Sequence, residues 1–249
     1  MSRVGGRYIV TAFPESQKYK AQYIAAPAIP GYPGVMALGT NPAVSPLFST
    51  TWLAGYWNFD EGTGSSTLDQ SGNGNTGSWN GASGGTNNTH YVAGKVGSYM
   101  GSFDGTTNYI QIPSSTAYTS IQSKSMWVFI SAAGNPYLMD EGGNDNWIQI
   151  ASSHVRSATS GGCILDSTMT VALNTWYYIT TAFDGATSML YINGSLDSSK
   201  SCSGNSPGVV TIGSSSGGAG GLNGFIDDVR IYSRALSASE VAALYNAQK

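Results

Sequence analysis

The chain has 249 residues, enough for one large all-β domain or two small ones with a substantial core, and too many for a mini-protein held together only by disulfides. Lys+Arg 11 against Asp+Glu 14 leaves a net charge of -3, and only 10% of residues are charged, which argues against nucleic-acid binding through a basic footprint. Gly 33 beside 41% hydrophobic residues and Tyr 15 argues against disorder and for many turns joining packed strands.

In chain order, residues 1–50 come first and differ from the rest. They hold Arg3, Arg7, Lys18 and Lys20 against Glu15 alone, together with Pro14, Pro27, Pro30, Pro33, Pro42 and Pro46. Proline lacks a backbone donor and biases the preceding residue toward extended geometry, so Ala21 to Ser49 reads as an extended linker rather than a helix or central strand. A domain boundary is expected near residue 50, with 51–249 as the folded domain. No apolar run reaches about 18 residues, and the opening MSRVGGRYIV lacks the charged, apolar and small-residue segments of a signal peptide.

From Leu53 onward, short apolar and aromatic runs alternate with Gly, Asn, Asp and Ser clusters. Strands are expected at Leu53 to Phe59, Tyr109 to Ile112, Met126 to Ile130, Trp147 to Ile150, Trp176 to Phe183, Met189 to Ile192, Val209 to Ile212 and Phe225 to Tyr232. The dipeptides Asp104-Gly105, Asp184-Gly185 and Asn193-Gly194 read as hairpin turns, because glycine takes positive φ at little cost. Gly213 to Gly221 is a low-complexity loop. Ser237 followed by Glu240 makes a capping box, and Val241, Leu244 and Tyr245 share one face of the next turns, so one short helix closes the chain. Cys163 and Cys202 have no metal-ligand spacing and flank a predicted hairpin; a disulfide is the favoured reading, two buried thiols the alternative.

Eight runs occur in one order: Gly55-Tyr-Trp-Asn-Phe-Asp-Glu-Gly62, Asp69-Gln-Ser-Gly-Asn-Gly-Asn75, Gly94-Lys-Val-Gly97, Ser102-Phe-Asp-Gly105, Asn174-Thr-Trp-Tyr177, Phe183-Asp-Gly185, Leu190-Tyr-Ile-Asn-Gly194 and Ile226-Asp-Asp-Val-Arg-Ile-Tyr-Ser-Arg-Ala-Leu-Ser237. Together, over about residues 53 to 247, they closely resemble the laminin-G-like, concanavalin A-like lectin/glucanase jelly roll. The resemblance implies an all-β sandwich of two antiparallel sheets with the first and last strands adjacent. It implies no activity by itself, since that fold carries lectins, glycan-binding modules, glycosidases and structural domains.

Residue chemistry adds expectations. Trp57, Phe59, Trp127, Trp176, Tyr178 and Tyr191 alternate with smaller or polar residues and are expected mostly between the sheets. Asp227 and Asp228 interrupt an apolar strand, where a carboxylate needs a cation, an arginine or backbone donors, and Arg230 or Arg234 are candidates. With first and last strands adjacent, Asp60, Glu61 and Asp69 would approach Asp227 and Asp228, and relatives of this fold often hold a structural calcium near such residues; the alternative is that Asp60 and Asp69 cap turns. Glycan binding needs an exposed aromatic beside amides or carboxylates. Two stretches offer that mixture: Asn144, Asp145, Asn146 and Trp147, and the stretch holding Trp79, Asn88 and Tyr91. Hydrolysis is disfavoured, because glycosidases of this fold carry carboxylates at alternate strand positions, whereas Asp60-Glu61 and Asp140-Glu141 are adjacent and point to opposite faces.

Residues 7 to 42 resemble the end of bacterial pilin-like, or pseudopilin, proteins that carry a laminin-G-like domain. That implies a chain representing the outer, displayed part of a filament subunit. A virion or tail protein with an extended assembly arm is the reading from another class, and a secreted glycoside hydrolase the third. The favoured expectation is a non-enzymatic extracellular or cell-surface domain that binds glycans or a surface partner.

Overall fold

The computed structural model describes residues 52–81, 90–113, 123–142, 146–159, 162–204 and 208–249. The expected linker, the boundary near residue 50 and the pilin-like stretch lie outside the described residues. Among these, the elements are β1 (Leu53–Trp57), β2 (Ser66–Thr67), β3 (Gly77–Asn80), β4 (Tyr91–Ala93), β5 (Tyr99–Asp104), β6 (Tyr109–Ile112), β7 (Ser123–Ile130), β8 (Tyr137–Asp140), β9 (Trp147–Ala151), β10 (His154–Thr159), β11 (Cys163–Thr170), β12 (Trp176–Phe183), β13 (Thr187–Ile192), β14 (Ser195–Ser201), β15 (Val210–Ile212), β16 (Asn223–Tyr232) and α1 (Ala238–Gln248).

The strands form two antiparallel sheets. The first runs β14-β13-β12-β7-β16-β5-β4, with β1 also pairing on β16; the second runs β11-β10-β9-β8-β15-β6-β3-β2. First and last strands are neighbours, as the resemblance implies: Trp57 lies opposite Val229 and Tyr56 opposite Arg230.

Alternation builds the core. Met126, Val128 and Ile130 of β7, Ile148 and Ile150 of β9, Val210 and Ile212 of β15, and Ile226 of β16 point between the sheets with Trp57 and Phe59. The same alternation corrects part of the sequence expectation. Because Met126 and Val128 point inward, Trp127 points outward; with Tyr178 and Tyr191 it packs on the outer face of the first sheet, against Leu236, Val241 and Leu244. Trp176 is half-buried at the edge of that cluster.

Helix α1 is therefore a lid on the first sheet. Ser237 and Glu240 form the capping box. Arg234 donates to Glu240 Oε2 at 2.9 Å, and Trp127 Nε1 donates to Gln248 Oε1 at 2.8 Å from the far end of the helix. At the free end of this sheet a row of half-buried aromatics is left over, Trp176 opposite Phe129 opposite Phe225.

The two expected hairpins at Asp184-Gly185 and Asn193-Gly194 join β12 to β13 and β13 to β14. Asp104-Gly105 is instead a corner between sheets, since β5 belongs to the first and β6 to the second. The Asp104 carboxylate accepts N–H bonds from Thr106, Thr107 and Asn108 at 2.9, 2.8 and 3.0 Å. Partial burial works to raise its pKa, but those donors together hold it well below the usual carboxylate range.

Outer strands of the two sheets meet at β11 and β14. The Cys163–Cys202 disulfide joins them there with Cα atoms 5.8 Å apart. Beside it, Asp197 of β14 accepts N–H bonds from Thr168 and Met169 of β11 at 2.6 and 3.0 Å. At another rim, Lys124 of β7 makes a buried ion pair with Glu141, just past β8, whose carboxyl burial pushes up while Lys124 opposes that rise.

Candidate functional site

The acidic residues near the β1–β16 junction hold backbone N–H groups, except Asp228, which holds side chains. Asp60 Oδ1 accepts from the N–H groups of Ser98 and Tyr99 at 2.8 and 3.1 Å, and Glu61 from that of Leu68 at 2.8 Å. Asp69 takes N–H bonds from Tyr56, Ser71 and Asn75 at 3.0, 2.9 and 2.9 Å. Asp227 accepts from Val96 N–H at 2.7 Å, whereas Asp228 accepts from the Tyr56 hydroxyl at 2.7 Å and pairs with Arg230 at 3.3 Å. The last two diverge because β16 shifts register between Asp227 and Arg230, with Asp228 at φ 57.

Calcium needs six to eight oxygens converging on one point. Among the described residues, no group of three or more His, Cys, Asp or Glu side chains is placed to hold a metal ion. Asp60, Glu61, Asp69 and Asp227 each accept from backbone N–H groups and so staple loops, while Asp228 is held by Tyr56 and Arg230.

The two expected glycan stretches part company. Trp79 and Tyr91 are interior, 4% and 6% exposed. Trp79 Nε1 donates to the Tyr91 hydroxyl at 3.0 Å, which donates to Ser66 C=O at 2.7 Å, and the Trp79 ring packs on His90 and Phe103. They cannot stack on a sugar, because β3 alternation turns Trp79 inward beside Gly77 and leaves Ser78 and Asn80 facing out. Asn88, Asn144 and Asp145 lie outside the described residues. Asn146 is buried, its C=O accepting from Glu141 N–H at 2.9 Å. Trp147 is half-buried at the start of β9 and faces out, since Ile148 and Ile150 face in.

Around Trp147 the outer side of the second sheet mixes polar, aromatic and apolar residues, with Thr211, Asp140 and Ala158 buried in its middle. One cross-strand row runs Ser78, Gln111, Thr211, Asp140, Trp147, Ala158 and Ile164, each directly opposite the next on seven adjacent strands. At about 4.8 Å per strand spacing, its six steps span about 29 Å. Beside it lies a second row, Tyr137 opposite Gln149 opposite Arg156 opposite Asp166. Tyr137 meets Trp147 edge-on with ring centroids 5.9 Å apart, and Gln149 Nε2 donates to Asn135 C=O at 2.9 Å. On the far side of β15, Tyr109 is half-buried opposite Asn80.

The glycine-rich loop after β15 fits between the two tyrosines. A Cβ on Gly220 (φ +62) would stand 2.9 Å from the Tyr137 ring, and one on Gly218 (φ +79) 3.4 Å from the Tyr109 ring. Ser216 N–H donates to Asp140 Oδ2 at 2.7 Å and Gly142 N–H to Asp140 Oδ1 at 3.1 Å, tying that loop to β8. In the middle of the first row, the Thr211 hydroxyl is fully buried with no hydrogen-bond partner.

Sequence reading reached this face as a ligand site only through Trp147, since Asn146 beside it is buried. Tyr109, Gln111, Tyr137, Gln149, Arg156 and Asp166 are its other members. Their signal was alternation within YIQI, WIQI and YLMD, readable only once the strands are known to be neighbours.

The sequence model of the concanavalin A-like lectin/glucanases superfamily, Laminin_G_3, matches residues 104–242. This chain belongs to that family. The fold also recurs in solved structures. The binding domain of Paraclostridial Mosquitocidal Protein 1 matches with a TM-score of 0.62 at 21% identity, over 79% of this chain and 52% of that one. Domain 4 of AbnA, a GH43 extracellular arabinanase from Geobacillus stearothermophilus, solved in complex with arabinotriose, matches with a TM-score of 0.61 at 21% identity, over 78% of this chain and 98% of that one. The binding domain of Botulinum Neurotoxin DC in complex with SialylT matches with a TM-score of 0.60 at 14% identity, over 80% and 52%. The chain thus spans about half of the two toxin binding domains and nearly all of the arabinanase domain. No curated protein matches the sequence. Among the described residues, no helix is long and apolar enough to cross a membrane.

Proposed function

We propose that this domain is a non-catalytic glycan-binding module of an extracellular or surface-displayed protein, and that it binds through the open face of the second sheet. The observation that carries this reading is the pair of cross-strand rows around Trp147: half-buried aromatic rings beside amides and hydroxyls, the combination that stacks on a sugar ring and forks onto its hydroxyls. The row Tyr137, Gln149, Arg156 and Asp166 crosses four adjacent strands, about 14 Å, a length that suits a short oligosaccharide rather than a single sugar. Helix α1 covers much of the corresponding face of the first sheet. The fold-sharing structures solved with arabinotriose and with SialylT support the ligand class.

A binding role is also what the carboxylates allow. Asp140 is occupied by two backbone N–H groups and Asp166 by Arg156, so neither stands free as an acid or a nucleophile. Affinity from a few stacked rings would be weak at one site and gain from arrayed copies.

A glycan array, followed by titration of the hits, tests this. Trp147→Ala is expected to weaken binding by about tenfold or more, the scale of truncating an interface anchor. Trp176→Ala, in the aromatic row of the first sheet, is expected to leave affinity unchanged. Binding is expected to persist in a chelator, because Asp60, Glu61, Asp69 and Asp227 have backbone partners and Asp228 has Tyr56 and Arg230. The reverse pattern for the two tryptophans would move the site to the first sheet, and calcium-dependent hits would return the acidic residues to a metal role.

A further inference from the structure

The open face has an electrostatic character that narrows its ligand. The eight strands of the second sheet contain one arginine, Arg156, and no lysine, against Asp140 and Asp166. A glycan carboxylate, as in a sialic or uronic acid, needs an available cation, best a guanidinium that can fork onto both of its oxygens.

Arg156 is not available in that sense. Asp166 lies directly opposite it on β11, and the two make a two-pronged pair: Nε donates to Oδ1 at 2.6 Å and Nη2 to Oδ2 at 3.1 Å. This intramolecular carboxylate has a far higher effective concentration than one arriving on a ligand. The pair holds the Asp166 carboxyl below its usual range and raises the guanidinium. Lys200 on β14, whose charge also acts on Asp166, donates to Ile164 C=O at 3.1 Å. His154 of β10 donates through Nδ1 to Ser152 C=O at 2.9 Å. Asp140, in the middle of the first row, is buried under the glycine-rich loop, with both oxygens held by backbone N–H groups. What remains for a ligand is neutral: Ser78, Asn80, Gln111, Gln149 and the tyrosine hydroxyls.

We propose that this face selects uncharged glycans, and that Asp166 sets the selection by holding the guanidinium of Arg156. The proposal rests on the reading of this face as the glycan site. A surface ion pair contributes little to stability, so its removal tests recognition rather than folding.

The experiment titrates the full chain with neutral arabino- and xylo-oligosaccharides and, in parallel, with sialyllactose and trigalacturonate. Parent, Asp166→Asn and the double variant Asp166→Asn with Arg156→Gln are compared, each checked for an unchanged melting temperature. The parent is expected to bind a neutral member and to bind both anionic probes at least about tenfold more weakly, a difference of about 1.4 kcal/mol. Asp166→Asn, which frees the guanidinium, is expected to gain about tenfold for the anionic probes relative to the neutral ones, and the double variant to lose that gain. Anionic probes bound by the parent as tightly as neutral ones, or an Asp166→Asn variant that shifts neither class, would overturn the selection while leaving glycan binding intact. No binding to any of the four probes would overturn both.

Discussion

Thr211 sits covered in the middle of the second sheet's outer side, with its chemistry unsatisfied. Its hydroxyl is fully buried between Gln111 and Asp140 and has no hydrogen-bond partner, whereas Asp140 beside it has two backbone donors. A buried hydroxyl left unpaired costs on the order of 1–3 kcal/mol, so Thr211→Val, which keeps the shape and removes the O–H, is expected to raise stability by up to about that amount. Because the hydroxyl is covered, glycan affinity is expected to stay within about twofold, on the same argument that only exposed groups reach the ligand. Denaturant unfolding of parent and variant checks the first, titration the second; a variant that is less stable would show that the hydroxyl has a partner after all. The same pairing of burial with chemistry explains what was readable residue by residue. Asp227 and Asp228 announced their need for partners by interrupting an apolar strand, and Arg230 and the Val96 N–H meet it. Trp79 and Trp147 look alike in sequence, each aromatic beside polar residues. Only the inward partners Gly77 and Ile148 decide that one ring is core and the other faces out.

Among the elements, helix α1 was legible because its start is a local chemical device rather than a pattern. Ser237 and Glu240 satisfy the first-turn donors, and Arg234 adds an ion pair to the same carboxylate. Those contacts, the Arg234 hydrogen bond foremost, lower the Glu240 carboxyl from 4.5 to about 2. A carboxyl held lower in the folded than in the unfolded chain contributes stability that is fully present above about 4.5 and lost as pH falls toward about 2. Glu240→Gln is therefore expected to be less stable than the parent at neutral pH, with the gap closing across that window; melting curves from pH 7 to pH 2 measure it. A constant gap would place the residue's contribution in packing alone. Strands divided differently. β7, β9, β12 and β16 have apolar residues on both faces or a strict alternation and were expected; β10, β11 and β14 carry His154, Asp166, Lys200 and many Ser and Thr, and β11 and β14 stand at the edges of their sheets with little to bury. Asp104-Gly105 looked like a hairpin because a two-residue turn and a sheet-to-sheet corner use the same residues; what separates them is which sheet the next strand joins.

For the molecule as a whole, the question is what keeps two sheets in register around one core when their edges differ so much. The core cluster supplies most of the adhesion, and α1 seals the outer face of the first sheet. The β11–β14 edge is where that adhesion is thinnest: β14 buries none of its residues fully, and β11 only Leu165 and Ser167. That is where the covalent link stands. Cys163 and Cys202 join the two edge strands across 39 residues of sequence, beside the Asp197 clamp on Thr168 and Met169. Closing a loop of that length removes unfolded-chain entropy worth about 4 kcal/mol at 25 °C, within the usual range of about 2–4 kcal/mol for a disulfide. Replacing both cysteines by serine is expected to lower unfolding free energy by about that much, and to raise hydrogen exchange first at the amides of β11 and β14 rather than in β7, β12 or β16. Asp166 stands on β11, three residues from Cys163, so the same variant is expected to loosen the Arg156 pair and the charge selection it sets. Stability and exchange unchanged on removal of the disulfide would mean that the Asp197 clamp and the Leu165 contact are sufficient to hold the edge shut.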